Sequence, residues 1–206
     1  MTTPLDFHCE SCVVSLEQAL EAQHRGAHRL ELCARLETEG MTPDISLAVE
    51  ILDQVSIPLR VMIRATETGY EADDLVLQKM IASIQQFKQI PIEGIVIGLL
   101  KNQRVDPKGM MLLIEAAFPL KITLHKAIDL SVDVDADIRW LNRFTQVDTI
   151  LTSGGAIRAA DGVQEILRMK SLFEGQIMAA GKITPDVLPS LHTQLGLQWY
   201  HGRAIV

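Results

Sequence analysis

The side chains of this sequence that can do chemistry collect at the ends of short apolar runs. They are His8 and Cys9, Glu31 and Cys33, Arg64, His125 with Asp129 just beyond it, Ser153 ahead of Gly154 and Gly155, Gly181 with Lys182, and His201 ahead of Gly202. A carboxylate, a guanidinium and two imidazoles brought together can move a proton and hold an anion. The candidate catalytic set is therefore Glu31, Arg64, His125, Asp129, Ser153 and His201. In it His125 is the general acid or base, Glu31 its counterpart or orienter, and Arg64 the grip on a carboxylate or phosphate. Glycines lacking a Cβ let backbone N–H groups approach a ligand, so Gly154, Gly155, Gly181 and Gly202, with Lys182 and Arg203, form a candidate anion site. The plainer alternatives are a structural ion pair of Glu31 with Arg29 or Arg64 and glycines that merely make tight turns.

Cys9-Glu10-Ser11-Cys12 is a Cys-x-x-Cys, and Cys33 ends the next apolar run. Two or three thiolates close together suit a soft ion such as Cu(I) or Zn(II), which makes Cys9, Cys12 and Cys33 the candidate metal ligands. Three small buried hydrophobes with one coincidental spacing is the competing reading. An odd cysteine count in a chain this long does not make a disulfide framework, so the thiols are expected to be reduced.

The elements that must position these residues follow from periodicity. Apolar runs at 5–9, 28–33, 58–64, 94–99, 121–125, 149–153, 176–180 and 197–201 read as eight strands. Helical stretches lie between them: 15–23, one opening near Thr42-Pro43-Asp44, 73–89, one introduced by Pro107, 135–144, 162–172 and 185–191. In the second strand Leu30 and Leu32 fall on one face and Arg29, Glu31 and Cys33 on the other; continuing that parity puts Met62, Arg64, Thr123 and His125 on the polar side. Strands alternating with helices give a parallel sheet with right-handed crossovers, and eight such units close into a (β/α)₈ TIM barrel. A doubly wound open sheet is the rival, but it gives no reason for polar residues at nearly every strand end. The expected architecture is a single TIM-barrel domain over residues 1–206 with the last helix truncated or missing. Part of its apolar outside is then bare, for a second copy in a homodimer or a rearranged segment to cover.

Composition narrows the partners. With 48% hydrophobic residues the 206-residue chain can bury a sizeable core, and 4% aromatics favour helices and parallel strands over a β-sandwich. A net charge of −7 without a basic block argues against nucleic acid and anionic membrane surfaces. The stretch MTTPLDFHCESC lacks the basic and apolar regions of a signal peptide, and no apolar run is long enough to span a bilayer, so a cytoplasmic protein is expected.

Several stretches in order, GAHRLELC (26–33) with Gly40-Met41-Thr42-Pro43, MIR (62–64), LHKAID (124–129), ILTSGG (150–155), IMAAGKI (177–183) and Tyr200-His201-Gly202, resemble the CutC family. That resemblance covers nearly the whole chain and implies a (β/α)₈ barrel and, by the family's name, copper homeostasis with a Cu(I) cargo. Cys33 falls within the family motif and Cys9 near a position where the family often has cysteine. The sequence departs from the pattern at Ala65-Thr66, where Pro-Arg is usual, at Glu39 and Lys182, which replace glycines, and at the C-terminus, where the usual extension is missing. Two functions are thus expected side by side: binding of Cu(I), or an enzyme acting on a small anionic carboxylate or phosphate metabolite. A scaffold acting through an oligomeric surface is a third.

Overall fold

The fold was analysed in a computed structural model that describes residues 7–206. The strands are β1 (His8–Val13), β2 (Arg29–Leu32), β3 (Leu59–Met62), β4 (Gly94–Ile97), the short β5 (Leu100–Lys101) and β6 (Arg104–Val105), then β7 (Lys121–Leu124), β8 (Val147–Thr152), β9 (Gln176–Ala179) and β10 (Trp199–Gly202). Eight of them close a barrel in the order β1-β10-β9-β8-β7-β4-β3-β2, while β5 and β6 form a separate antiparallel hairpin. All barrel pairs are parallel, from β1 on β2 round to β10 on β1. The eight-stranded barrel expected from the alternation is the fold observed.

Helices α1 (Leu16–His24), α2 (Ile45–Gln54), α3 (Asp74–Phe87), α4 (Pro107–Ala117), α5 (Val134–Leu141), α6 (Val163–Leu172) and α7 (Leu188–Leu195) follow the first seven barrel strands. Local chemistry starts most of them. Ser15, Asp44, Asp73, Asp106 and Asp133 each accept a hydrogen bond from an amide of the first turn, meeting donors the helix leaves unpaired. The sequence places the last helix at 185–191, but α7 begins at Leu188, because Thr184 closes a turn through its carbonyl with the Val187 and Leu188 amides first.

Alternation divides the sheet into two chemistries. Leu30, Leu32, Val61, Ile63, Ile95, Ile97, Ile122, Leu124, Ile150 and Ile177 are buried in the apolar layer between barrel and helices. Facing inward are two small apolar clusters, Cys12–Cys33–Met62–Val96 and Leu151–Met178–Ala180, separated by charged groups. Among the described residues β10 is followed by no helix; Ile205 is buried there, and the Val206 carbonyl accepts from Arg25 of the chain between α1 and β2 at 3.4 Å. Among the described residues no helix is long and apolar enough to cross a membrane.

The first strand differs most from its sequence reading. The predicted first strand at 5–9, whose first two residues lie outside the described ones, is β1 at His8–Val13. The register explains the shift: Glu10 pairs across with Arg29 and His201, and Cys12 with Glu31, so polar partners on two neighbouring strands fix which residues face in.

Candidate functional site

The interior is polar at both ends. At the amino end Arg60 is almost fully buried and donates to Glu93 Oε2 at 2.7 Å, to Thr123 Oγ1 at 2.7 Å and, bidentately, to Asp148 at 2.8 Å. Arg29 pairs with Glu10, reaches Glu93 at 3.3 Å and lies with its guanidinium 4.1 Å over the Trp199 ring. This layer is saturated with partners and acts as the floor.

Above it, at the carboxyl ends of the strands, opens a cavity of about 270 Å³. Its wall includes Cys12, Glu31, Cys33, Met62, Arg64, His125 and His201. Leu36, Glu39, Tyr70, Lys126, Gly181, Lys182, Gly202 and Arg203, none of them buried, form its rim. Glu31 and His125, expected to act together, therefore share one cavity.

The deepest part is a chain of titratable groups. Glu10 Oε1 lies 2.9 Å from His201 Nδ1, His201 Nε2 is 3.6 Å from Glu31 Oε2, the Cys33 thiol reaches Glu31 Oε2 at 3.4 Å, and the Cys12 and Cys33 sulfurs are 3.8 Å apart. Burial alone would raise the Glu10 carboxyl, but the Arg29 cation and the His201 hydrogen bond outweigh it and hold it at about 2. Burial would likewise lower His201, yet the facing Glu31 and Glu10 carboxylates push it well above its usual value. Glu31 is raised well above the usual carboxylate range, chiefly by burial. The hydrogen bond it shares with the Cys33 sulfur holds the Cys12 thiol well below its usual value, with the His201 cation adding to it, and Cys33 is raised well above. Of the two thiols, Cys12 is the one whose surroundings favour loss of the proton.

Cys9 is not part of this chain. It faces the helix side of β1, within the outer apolar core, where burial raises its thiol to about 11. The Cys-x-x-Cys spacing runs along a strand, and a separation of three puts its two sulfurs on opposite faces. Cys12 takes the place beside Cys33 that the sequence reading shared with Cys9.

Asp129, Ser153, Gly154 and Gly155 also lie apart from the cavity. Asp129 accepts from the Thr152 hydroxyl and from the Ser153 amide and hydroxyl, both at 2.9 Å, and the Ser153 hydroxyl reaches the Ala156 carbonyl at 2.6 Å. These bonds brace the loop after β8. Asp129, Gly154 and Gly155 instead line an acidic surface depression with Asp133, Asp135 and Glu165. Arg64 reaches the cavity, but its Nη1 donates to the Thr38 and Gly40 carbonyls at 2.6 and 3.2 Å and its Nη2 to those of Glu67 and Gly69 at 3.4 and 3.2 Å. It ties two loops together, which leaves little of its fork for an anion.

Residues missed in sequence were Tyr70, Glu39 and Lys126 at the mouth, Glu10 beneath the cavity and Arg60 at the floor. Arg60 shares the parity of Met62 and Arg64, so the alternation carried that signal. Tyr70, whose hydroxyl bonds Glu39 at 2.7 Å and whose ring lies 5.0 Å from His125, comes from a loop with no periodicity to betray it.

A closed parallel barrel of eight strands alternating with helices is a TIM-barrel protein, and its polar, thiol-bearing cavity lies at the strand ends where sites of that fold usually sit. Within that class the chain belongs to the CutC family, whose model matches residues 7–206. The human "Copper homeostasis protein cutC homolog" is 32% identical over 201 residues, covering 96% of this chain and 73% of that protein. A family protein CutC of Mesorhizobium japonicum is 34% identical over 155 residues, 75% of this chain and 60% of that one. The crystal structure of a CutC from Streptococcus agalactiae has the same fold, with a TM-score of 0.90 over 97% of this chain and 100% of that chain at 23% identity.

Proposed function

We propose that the protein takes part in copper homeostasis in the cytoplasm by binding Cu(I) between Cys12 and Cys33 at the barrel mouth. The observation that carries this reading is the pair of cavity-lining sulfurs 3.8 Å apart. One ion bonded to both at about 2.3 Å, the usual length of a zinc–thiolate bond, spans that gap. Sulfur donors are those a soft d¹⁰ cation prefers, and Glu31 Oε2 beside Cys33 offers a third, harder donor. A thiol already disposed to lose its proton lowers the cost of forming the thiolate that the metal needs. The name of the human relative points to the same metal.

Anaerobic competition against the chelator bathocuproine disulfonate tests it. Wild type and Cys9→Ser are expected to withdraw one Cu(I) per chain with equal affinity. Cys12→Ser and Cys33→Ser should each lose ~100-fold or more, since loss of a ligand costs at least as much as loss of its supporting contacts. A double Cys12→Ser, Cys33→Ser variant that is folded by circular dichroism and still binds as wild type does would overturn the assignment.

A further inference from the structure

The cavity is far larger than one ion needs, and its lining holds other chemistry beside the thiols. Three deeply buried side chains there each carry a polar atom with no hydrogen-bond partner among the described residues. They are Glu31 Oε1, in a residue 2% exposed, His125 Nε2, in one 4% exposed, and Arg64 Nε, in one 5% exposed. A buried polar group left in that state is costly, so three on one cavity mark a surface completed by something else.

The His125 ring is fixed in place and in tautomer. Its Nδ1 accepts from the Ala127 amide at 3.2 Å, which leaves the proton on Nε2. Gly98 makes room for it: a Cβ there would fall 2.5 Å from the ring's Cε1. His125 therefore presents a neutral N–H donor from a rigid mount.

The rim adds an excess of positive charge. Lys182 follows Gly181 beyond β9, Arg203 follows Gly202 at the end of β10, and Lys126 follows His125. Glu39 is the only carboxylate at the described rim, and the Tyr70 hydroxyl is bonded to it. β9 and β10 are the seventh and eighth barrel strands, and the loops after these strands frequently hold phosphate in this architecture.

We propose that the cavity binds a small organic anion. Its phosphate or carboxylate lies against Lys182, Arg203 and the backbone at Gly181 and Gly202, and an oxygen at its other end accepts from His125 Nε2 while a hydroxyl meets Glu31 Oε1. The site differs from the thiol pair in its anchoring groups, because Lys182 and Arg203 are cations at neutral pH and have no lone pair to give a metal ion. It stands whether or not copper binds.

Titration calorimetry on reduced, metal-free protein decides the matter, with inorganic phosphate, malonate and 2-phosphoglycolate as probes. At least one of the two organic anions is expected to bind ~10-fold or more tightly than inorganic phosphate, a tenfold step being about 1.4 kcal/mol. Preference for 2-phosphoglycolate makes the anchored group a phosphate, and preference for malonate makes it a carboxylate; either supports the proposal. A Lys182→Ala, Arg203→Ala double variant should weaken the preferred anion ~10-fold while its Cu(I) competition stays at the wild-type value. His125→Gln should weaken the organic anion by a similar factor and leave inorganic phosphate unchanged. Absence of saturable binding of all three probes up to about 10 mM, the weak end of the affinity scale, overturns it. So does binding that neither variant affects. Failure of copper binding in the cysteine variants leaves this result untouched, so the two readings fall separately.

Discussion

At the scale of single residues, environment more than identity sets what each group can do. Burial first, and then the nearby Arg64 cation, hold the His125 imidazole down at about 3 against a usual 6.5. The unfolded chain therefore binds a proton near pH 6.5 that the folded chain refuses, and the stability this group contributes is complete above 6.5 and falls as pH drops toward 3. One proton corresponds to about 1.4 kcal/mol per pH unit. In urea titrations between pH 6 and 4, His125→Gln should flatten the dependence of unfolding free energy on pH by up to that slope. Parallel curves for variant and wild type would show that His125 is not held neutral. The sequence exposes His125 as an inward residue at a strand end; its neutrality depends on the Ala127 amide, on Arg64 and on depth, none of which periodicity encodes.

At the scale of elements, strands deliver side chains reliably and loops do not. Glu31, Arg64, His125 and His201 reach the cavity because each sits at an inward position of a strand or just past its end, as the alternation of Leu30 and Leu32 against Arg29 and Glu31 implies. Asp129, after β7, and Ser153, after β8, fail to, because they bond each other instead. Arg64 shows the opposite case, a strand-end residue whose work is structural. It gathers carbonyls of the 38–40 segment and the 67–69 segment and lies 4.8 Å over the Tyr70 ring. Arg64→Ala should free both loops, so limited proteolysis is expected to cut within 35–42 and 65–70 at least several-fold faster, with the barrel still folded by circular dichroism. Arg64→Lys should not restore protection, because one ammonium cannot span four carbonyls in the plane of a fork. Unchanged cleavage in Arg64→Ala would mean that the loops are held by other contacts.

For the whole molecule, the barrel interior separates a floor that is closed by ion pairs from a mouth that is left reactive. Arg60 is central to the floor: it bridges β3 to Glu93 just before β4, Thr123 on β7 and Asp148 on β8. Arg60→Met should lower unfolding free energy by about 3 kcal/mol, the low end for breaking a buried pair, because the Asp148 and Glu93 carboxylates it abandons keep some solvent. Cu(I) competition by that variant should match wild type; a parallel loss of copper affinity would show that floor and mouth are coupled.

By itself the sequence determined the eight strands and seven helices of the barrel and the inward polar set Glu31, Arg64, His125 and His201, since both follow from short-range periodicity. Only the tertiary structure decided which cysteine joins Cys33. The register of β1 against β2 and β10 turns Cys12 into the barrel and Cys9 out, a choice a single strand cannot make alone because a shift of one residue exchanges its faces. The same holds for the orphaned atoms of Glu31 and His125, which come from strands far apart in sequence and share a cavity because the barrel closes.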